Sequence, residues 1–484
     1  MSMQTEKIKE RIGQFDNKLY LEFGGKLFDD FHASRVLPGF QPDTKIRMLM
    51  QMKDKAEIIV VINASDIEKN KIRADLGITY DQDVLRLIDA FRACDLYVST
   101  VVIARYEHQA KADSFKAKVE ALGIKVAFHY SIAGYPNNIE HIVSEEGLGK
   151  NEWVKTTREL IVVTAPGPGS GKLATCLSQL YHDHKNGIKA GYAKFETFPI
   201  WNIPLKHSIN LAYEAATADL NDVNMIDPFH LETYNKMAVN YNRDVEAFPL
   251  LNELFKRIMG KSIYHSPTDM GVNMAGYCIE DDEAAREASN EEILRRYYTA
   301  LTDLRKDRGS QNEIDKIELI MQQAGITKNS RRCVAPALEK AEETGEPACA
   351  MELNDGTIIT GKTSSLLGAS SSCLINAMKY VAHIDDDVLL IAPNVIEPIQ
   401  SLKVDHLKGH NPRLHTDEVL IAIAITAVMN PNAKKAMDSL SLLEGAEMHS
   451  SVIVSEVDAK TLKKLGIHLT CEPQYQPKKL VHLK

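Results

Sequence analysis

Five short runs of apolar, mostly β-branched residues, separated by segments of helical spacing, constrain this chain more than any other feature. They are AEIIVVINA at 56–64, YVSTVVIARY at 97–106, IKVAFHYSI at 124–132, ELIVVTAP at 159–166 and, less purely, KAGYAKFETFPI at 189–200. Most lack period-two alternation, which is the mark of strands covered on both faces. Between them, DVLRLIDAFRACDL at 83–96 and ADSFKAKVEALG at 112–123 place apolar residues at helical intervals. Strand and helix in alternation predict an α/β fold built on a doubly wound parallel sheet. Such sheets bind ligands at the carboxyl ends of their strands.

At 484 residues the chain exceeds one ordinary core. The expected division is an α/β phosphate- or nucleotide-binding-like domain at 1–235, a helical domain at 236–330 and a smaller C-terminal α/β domain at 331–484. The helical part rests on amphipathic, charged segments such as DVEAFPLLNELFKRIMG at 244–260. In the last part EPACAMELNDGTIITGK, 346–362, reads as a hairpin turning at Asn354, Asp355 and Gly356. VLLIAP at 388–393, HSSVIVSE at 449–456 and IHLTCE at 467–472 read as further strands.

A formal net charge of -9 argues against a general nucleic-acid binder, because such domains carry a basic excess. The longest apolar stretch near the end, EVLIAIAITAVM, is about twelve residues, well short of the roughly 20 that span a bilayer. Seven cysteines lie singly, with no CxxC pair, as suits reduced thiols. The N-terminal segment is charged and lacks the apolar core of a signal peptide. The expectation is a cytoplasmic protein without nucleic-acid or membrane partners, and homo-oligomerisation is a base-rate expectation only.

The chemistry concentrates first in APGPGSGKLAT, which follows the fourth run. A glycine-rich turn from strand to helix converges backbone N–H groups on an anion, assisted by the helix dipole. Gly167, Gly169, Ser170, Gly171 and Lys172 supply the turn, with Thr175 one helical turn on. Against GxxxxGK[ST], however, Pro166 stands for the first glycine and Leu173 for the hydroxyl that holds Mg²⁺. A phosphate site is expected. A nucleoside triphosphate with Mg²⁺ is the narrower expectation, and a tight turn with an exposed lysine is the bland alternative. A second turn, Gly24-Gly25-Lys26 with Arg35 downstream, offers further phosphate contacts, although a β-hairpin explains it equally well.

Between 194 and 244 lies a polar run among apolar residues: KFETFPIWN, LKH, ADLNDVNMIDPFH and NYNRD. Polar groups set among apolar ones are costly to bury without partners. Asp222, Asp227 and Glu196 are candidates for a metal-orienting carboxylate or a general base, and Arg243 for an anion clamp, with Lys206 and His207 assisting. The alternative is helix caps and turns, with Asp227-Pro228 opening a helix. In LLGASSSCLINAMKY, Ser371 and Cys373 stand near a helix N-terminus and could bind an anion or act as a nucleophile, against a buried, capped helix. No HExxH or GxSxG pattern appears, and no metal-binding set is expected.

The run GPGSGKLATCLSQLYHDHKNGIKAGYAKFETFPIWN, continued by ATADLNDVNMIDPFHLETY and VNYNRDVEAFP, resembles a bacterial family, uncharacterised protein family 0371, built on domain of unknown function 1846. The likeness covers nearly the whole chain. It implies an α/β part, a helical part and a C-terminal subdomain of cytidine-deaminase-like topology, but no reaction. Zinc deaminases need a His/Cys-x-Glu and a PCxxC. Here Asn376 and Ala377 follow Cys373, and no PCxxC appears.

Three readings stand open. One is an enzyme binding a phosphorylated small molecule such as ATP or GTP as a Mg-nucleotide, for phosphoryl transfer or hydrolysis. Lys172 and the loop amides would stabilise charge, an Asp of the polar run would orient metal or nucleophile, and Arg243 would offset developing charge. Another is a Mg-independent sugar-phosphate or nucleotide-metabolite enzyme. The last is a non-catalytic ligand-sensing or scaffold protein.

Overall fold

The computed structural model describes residues 2–73, 76–220 and 222–476. Asn221, a member of the polar run, lies outside the described residues. The chain divides into two compact units, one of residues 1–214 with 221–289 and one of residues 215–220 with 290–484.

The first unit is built on a six-stranded sheet of β1 (Leu19–Phe23), β2 (Ala56–Asn63), β3 (Tyr97–Tyr106), β4 (Lys125–Tyr130), β5 (Leu160–Thr164) and β6 (Gly191–Phe195). The order is β4-β3-β2-β5-β1-β6 and every pairing is parallel. The five apolar runs form β2 to β6. β2 and β5 are buried along their whole length, which is why their sequences do not alternate. The residues before Gly24 supply β1, a strand between β5 and β6 rather than one arm of a hairpin. The hairpin reading of Gly24-Gly25 is thereby corrected: the turn ends a parallel strand at the carboxyl edge. The connection leaving β2 runs outward to β3, and the one leaving β5 runs the other way to β6. The crevice between the carboxyl ends of β2 and β5 is therefore a topological switch point.

Two helices begin at this carboxyl edge or beside it, α1 (Lys172–Lys185) and α2 (Asn242–Met259). A small antiparallel ladder, β7 (Asn224–Ile226) with β8 (Val239–Tyr241), leads into α2. The apolar face of α2, with Phe248, Leu251, Leu254 and Phe255, joins the core beneath the six-stranded sheet. Residues 236–330 are largely helical, but they divide at Ser289 between the two units and form no separate domain. The reason is that burial of the α2 face ties its segment to the first core.

The second unit carries a four-stranded mixed sheet of β9 (Ala348–Glu352), β10 (Ile358–Lys362), β11 (Glu447–Ser450) and β12 (His468–Cys471), in the order β10-β9-β11-β12. β9 is antiparallel to β10 and β11, while β11 and β12 are parallel. The hairpin at Asn354–Gly356 is present. VLLIAP is not a strand. Its Leu390 and Ile391 are buried in irregular backbone, because a turn at Asp385–Val388 precedes them and Pro393 opens a helix directly after.

Candidate functional site

On one face of β1 and β6, the period-two positions are polar. Tyr20 and Glu22 on β1 stand in register with Tyr192 and Lys194 on β6, and Glu196 follows just beyond the strand. Tyr192 donates its hydroxyl to Glu22 at 2.7 Å. The Lys194 ammonium meets Asp244 at 2.6 Å, Glu196 at 3.0 Å and the Tyr241 hydroxyl at 2.8 Å. Tyr241 also donates to Glu196. Asp244 comes from the first turn of α2, where the helix N-terminus favours a carboxylate, and Tyr241 caps that helix.

The electrostatics follow from this crowding. Burial opposes the charge on Lys194, but Glu196, Tyr241, Asp244 and Glu22 together hold its pKa well above the ordinary lysine value. Burial also works against ionising Glu196, yet Lys194, the Tyr241 hydrogen bond and the field of Lys172 bring its pKa below the usual range. At Asp244 burial wins over Lys194, aided by repulsion from Glu196 and Glu22, and its pKa rises. The two carboxylates on one ammonium thus shift in opposite directions.

The glycine turn lies at the same sheet edge. Gly171 is in the left-handed region at φ 98° and caps α1 without a side-chain hydrogen bond, so the first amides of α1 have no partner within the helix. A Cβ at Gly171 would lie 2.9 Å from Cβ of Ala104. The Ser170 hydroxyl donates to the Gly167 carbonyl at 2.7 Å, and that side chain is buried. Gly169 is at positive φ and exposed, and its carbonyl lies 3.5 Å from the Asn63 amide on β2. Lys172 is half-buried at the first position of α1.

Gly24 packs against the lysine cluster. A Cβ there would lie 2.1 Å from Cγ of Glu196, so a glycine is required for Glu196 to fold over the turn. A Cβ on Gly25 would lie 3.3 Å from the ammonium of Lys45, a buried lysine paired with Asp30 at 2.6 Å. Lys26 is exposed and Arg35 half-buried.

Of the other sequence candidates, Arg243 and Asp222 form an ion pair at 2.7 Å, with Asp222 buried and Arg243 more than half exposed. The Arg243 guanidinium lies 5.7 Å from the Tyr241 ring centre, which places the pair beside Lys194 and its partners. Burial raises the Asp222 pKa against the pull of Arg243. Glu196 thus lies against Gly24 and Lys194, within the electrostatic reach of Lys172, and itself acts on Asp222.

The remaining candidates lie elsewhere or are occupied. Asp227 is a fully buried helix cap: one oxygen accepts from Phe229 and His230 N–H groups, the other from the Thr268 N–H and hydroxyl. Its lone pairs are committed, and the catalytic expectation gives way to the capping one. Thr175 is buried, its hydroxyl 3.5 Å from Nδ1 of His129, and so turned into the core rather than toward the loop. His207 accepts at Nδ1 from the Ile209 N–H, leaving Nε2 to donate to Asp282 at 2.7 Å. Lys206 is exposed. Ser371 and Cys373 are fully buried in helix Ala369–Val381. Ser371 donates to the Leu414 carbonyl at 2.9 Å, and burial pushes the Cys373 thiol well up. Neither a nucleophile nor an anion site is formed there.

Sequence reasoning missed Glu22, Lys194 and Tyr241, and included Asp244 only as part of the polar run. The available signal was polar residues every second position within otherwise apolar strands, Y-x-E at 20–22 and Y-x-K-x-E at 192–196.

The fold and the site define a class: doubly wound α/β proteins with a glycine-rich turn at the switch point and a lysine–carboxylate cluster beside it. The chain belongs to the DUF1846 family: its N-terminal domain of unknown function matches residues 1–325 and its C-terminal counterpart residues 329–481. A UPF0371 protein of Streptococcus thermophilus (strain CNRZ 1066) is 59% identical over 480 residues, covering 99% of this chain and 97% of the relative. A UPF0371 protein of Streptococcus pyogenes serotype M5 (strain Manfredo) is 57% identical over 480 residues, with the same coverage.

Proposed function

We propose that the protein is an enzyme acting on a phosphorylated small molecule, with the phosphate at Gly167–Lys172 and the reacting group beside Lys194, Glu196 and Asp244. The observation that carries this is the position of Glu196, which is bound to Lys194, folded over Gly24 and within the field of Lys172. An anion-type turn and an acid–base cluster at one strand edge support chemistry at or near a phosphate. Lys172 and the α1 amides would hold the phosphate charge, Arg243 would stand at the rim, and Asp244 would carry the proton.

Phosphoryl transfer or hydrolysis from ATP or GTP is one form of this reading. A specific observation favours the other, a phosphorylated metabolite handled without Mg²⁺. Lys194 bridges Glu196 and Asp244 where a divalent cation would otherwise bridge two carboxylates, and Leu173 replaces the Mg²⁺-holding hydroxyl. The mixed C-terminal sheet supports the deaminase-like topology implied by the sequence, and the burial of Cys373 argues against thiol or zinc chemistry at that position.

The test is a thermal-unfolding panel with ATP, GTP, sugar phosphates and inorganic phosphate, each with and without Mg²⁺. A ligand at 100 times its Kd stabilises by about 2.7 kcal/mol. A shift with a phosphorylated metabolite and no Mg²⁺ is expected. A shift confined to triphosphate with Mg²⁺ moves the reading to nucleotide chemistry, and no shift with any of them would overturn the phosphate site.

A further inference from the structure

Next to Glu196 the surface opens into a cleft. It is lined by the apolar Phe198, Pro199 and Trp201 and by the polar Lys194, Glu196, Asp244, Asn240 and Asn273. The Trp201 indole N–H is taken by the Asn273 carbonyl at 3.0 Å, so the ring is anchored and offers its carbon surface. The Asn240 side-chain carbonyl accepts from the Tyr241 N–H at 2.9 Å, which leaves its NH₂ to donate.

This lining selects by charge as well as by shape. A cationic group would meet Lys194, already seated between the carboxylates. A second anionic group would meet Glu196 and Asp244. A flat base would find ionised groups set among the apolar surface. A neutral group bearing several hydroxyls suits this lining: its O–H groups donate to the carboxylates, its oxygens accept from Asn240, and its C–H face lies on Trp201.

We infer that this cleft receives a polyhydroxylated group, a sugar or polyol, carried by the phosphorylated substrate. The inference rests on the phosphate reading above and assigns the non-phosphate part of the ligand. The specificity lies in Asn240, Asp244 and Trp201, and the phosphate turn supplies the common anchor.

Trp153 and Trp201 are the two tryptophans of the chain, which makes a direct readout available. In Trp153→Phe, Trp201 is the one remaining tryptophan. Glucose 6-phosphate, ribose 5-phosphate, the free sugars and inorganic phosphate are titrated while its emission is followed, and thermal unfolding of the unsubstituted protein with the same probes guards against a poorly folded variant. The expected result is that a sugar phosphate binds at least about tenfold more tightly than inorganic phosphate and shifts Trp201 emission, and that Asn240→Ala removes this advantage while leaving phosphate affinity unchanged. Equal affinity for sugar phosphate and phosphate, with silent Trp201, would overturn the sugar assignment and leave the phosphate site standing. Failure of every phosphorylated probe would overturn both.

Discussion

Each unit buries a basic side chain among carboxylates, and the two arrangements differ in one respect. In the second unit Arg331 is fully buried, and its five N–H donors are all used. Nε donates to Thr470 at 3.0 Å, Nη1 to Glu291 and Glu447 at 2.6 Å each, and Nη2 to the Met448 and His468 carbonyls at 3.1 and 2.8 Å. In the first unit Lys194 also has its donors engaged, but its side chain remains 16% exposed and the carboxylates it binds line a cleft. A closed network fixes a fold; an open one leaves acceptors for something else. Charge burial alone therefore does not mark a site, whereas charge burial with a mouth does.

Substitution and pH both probe this difference. The largest effect is expected at the closed network. Arg331→Ala strands Glu291, leaves Glu447 with Arg295 alone and should cost about 3–5 kcal/mol, read by urea unfolding followed by circular dichroism. A loss below about 1 kcal/mol would mean that the network contributes little to the fold.

Acid should act next, on the first unit. Burial lowers the His129 pKa to about 4, from 6.5 for the free side chain, so the folded state keeps it neutral. Between those values the unfolded chain binds the extra proton, and stability falls as pH drops from about 6.5 toward 4, by up to about 3 kcal/mol. Unfolding curves across that window should show this slope, and His129→Gln should flatten it. An unchanged slope in the variant would assign the acid sensitivity to other groups.

A smaller loss is expected from Asp227→Ala, about 2 kcal/mol for a buried cap, with ligand affinity kept. Reduced affinity at full folding would return Asp227 to the site. Smaller still is Gly171→Ala, which meets a positive φ and Ala104 and should cost about 1 kcal/mol or somewhat more, with ligand binding also weakened because the turn must shift.

Much of the fold was legible in the sequence, because strands buried on both faces show themselves as unbroken apolar runs. β1 was not, since LYLEF is short and two of its five buried positions are Tyr and Glu. VLLIAP misled for the opposite reason: apolar residues can fill a core from irregular backbone. At the site, GPGSGK and Arg243 were legible as types of chemistry. Lys194 and Asp244 were not, because their meaning depends on two strands meeting in register and on where α2 begins. Asp227 and His207 looked chemical but serve as a cap and a buried hydrogen-bonding group, a distinction made only by counting their partners.

The most direct measurement is isothermal titration of inorganic phosphate, and of the ligand with the largest thermal shift, into the unsubstituted protein and Lys172→Ala. Binding by the first is expected, with a loss of about tenfold or more in the second, the size of a charge-assisted hydrogen bond. Equal affinity in the two proteins would contradict a phosphate site at Gly167–Lys172, and would reduce the glycine turn to the tight strand-to-helix connection that its backbone also explains.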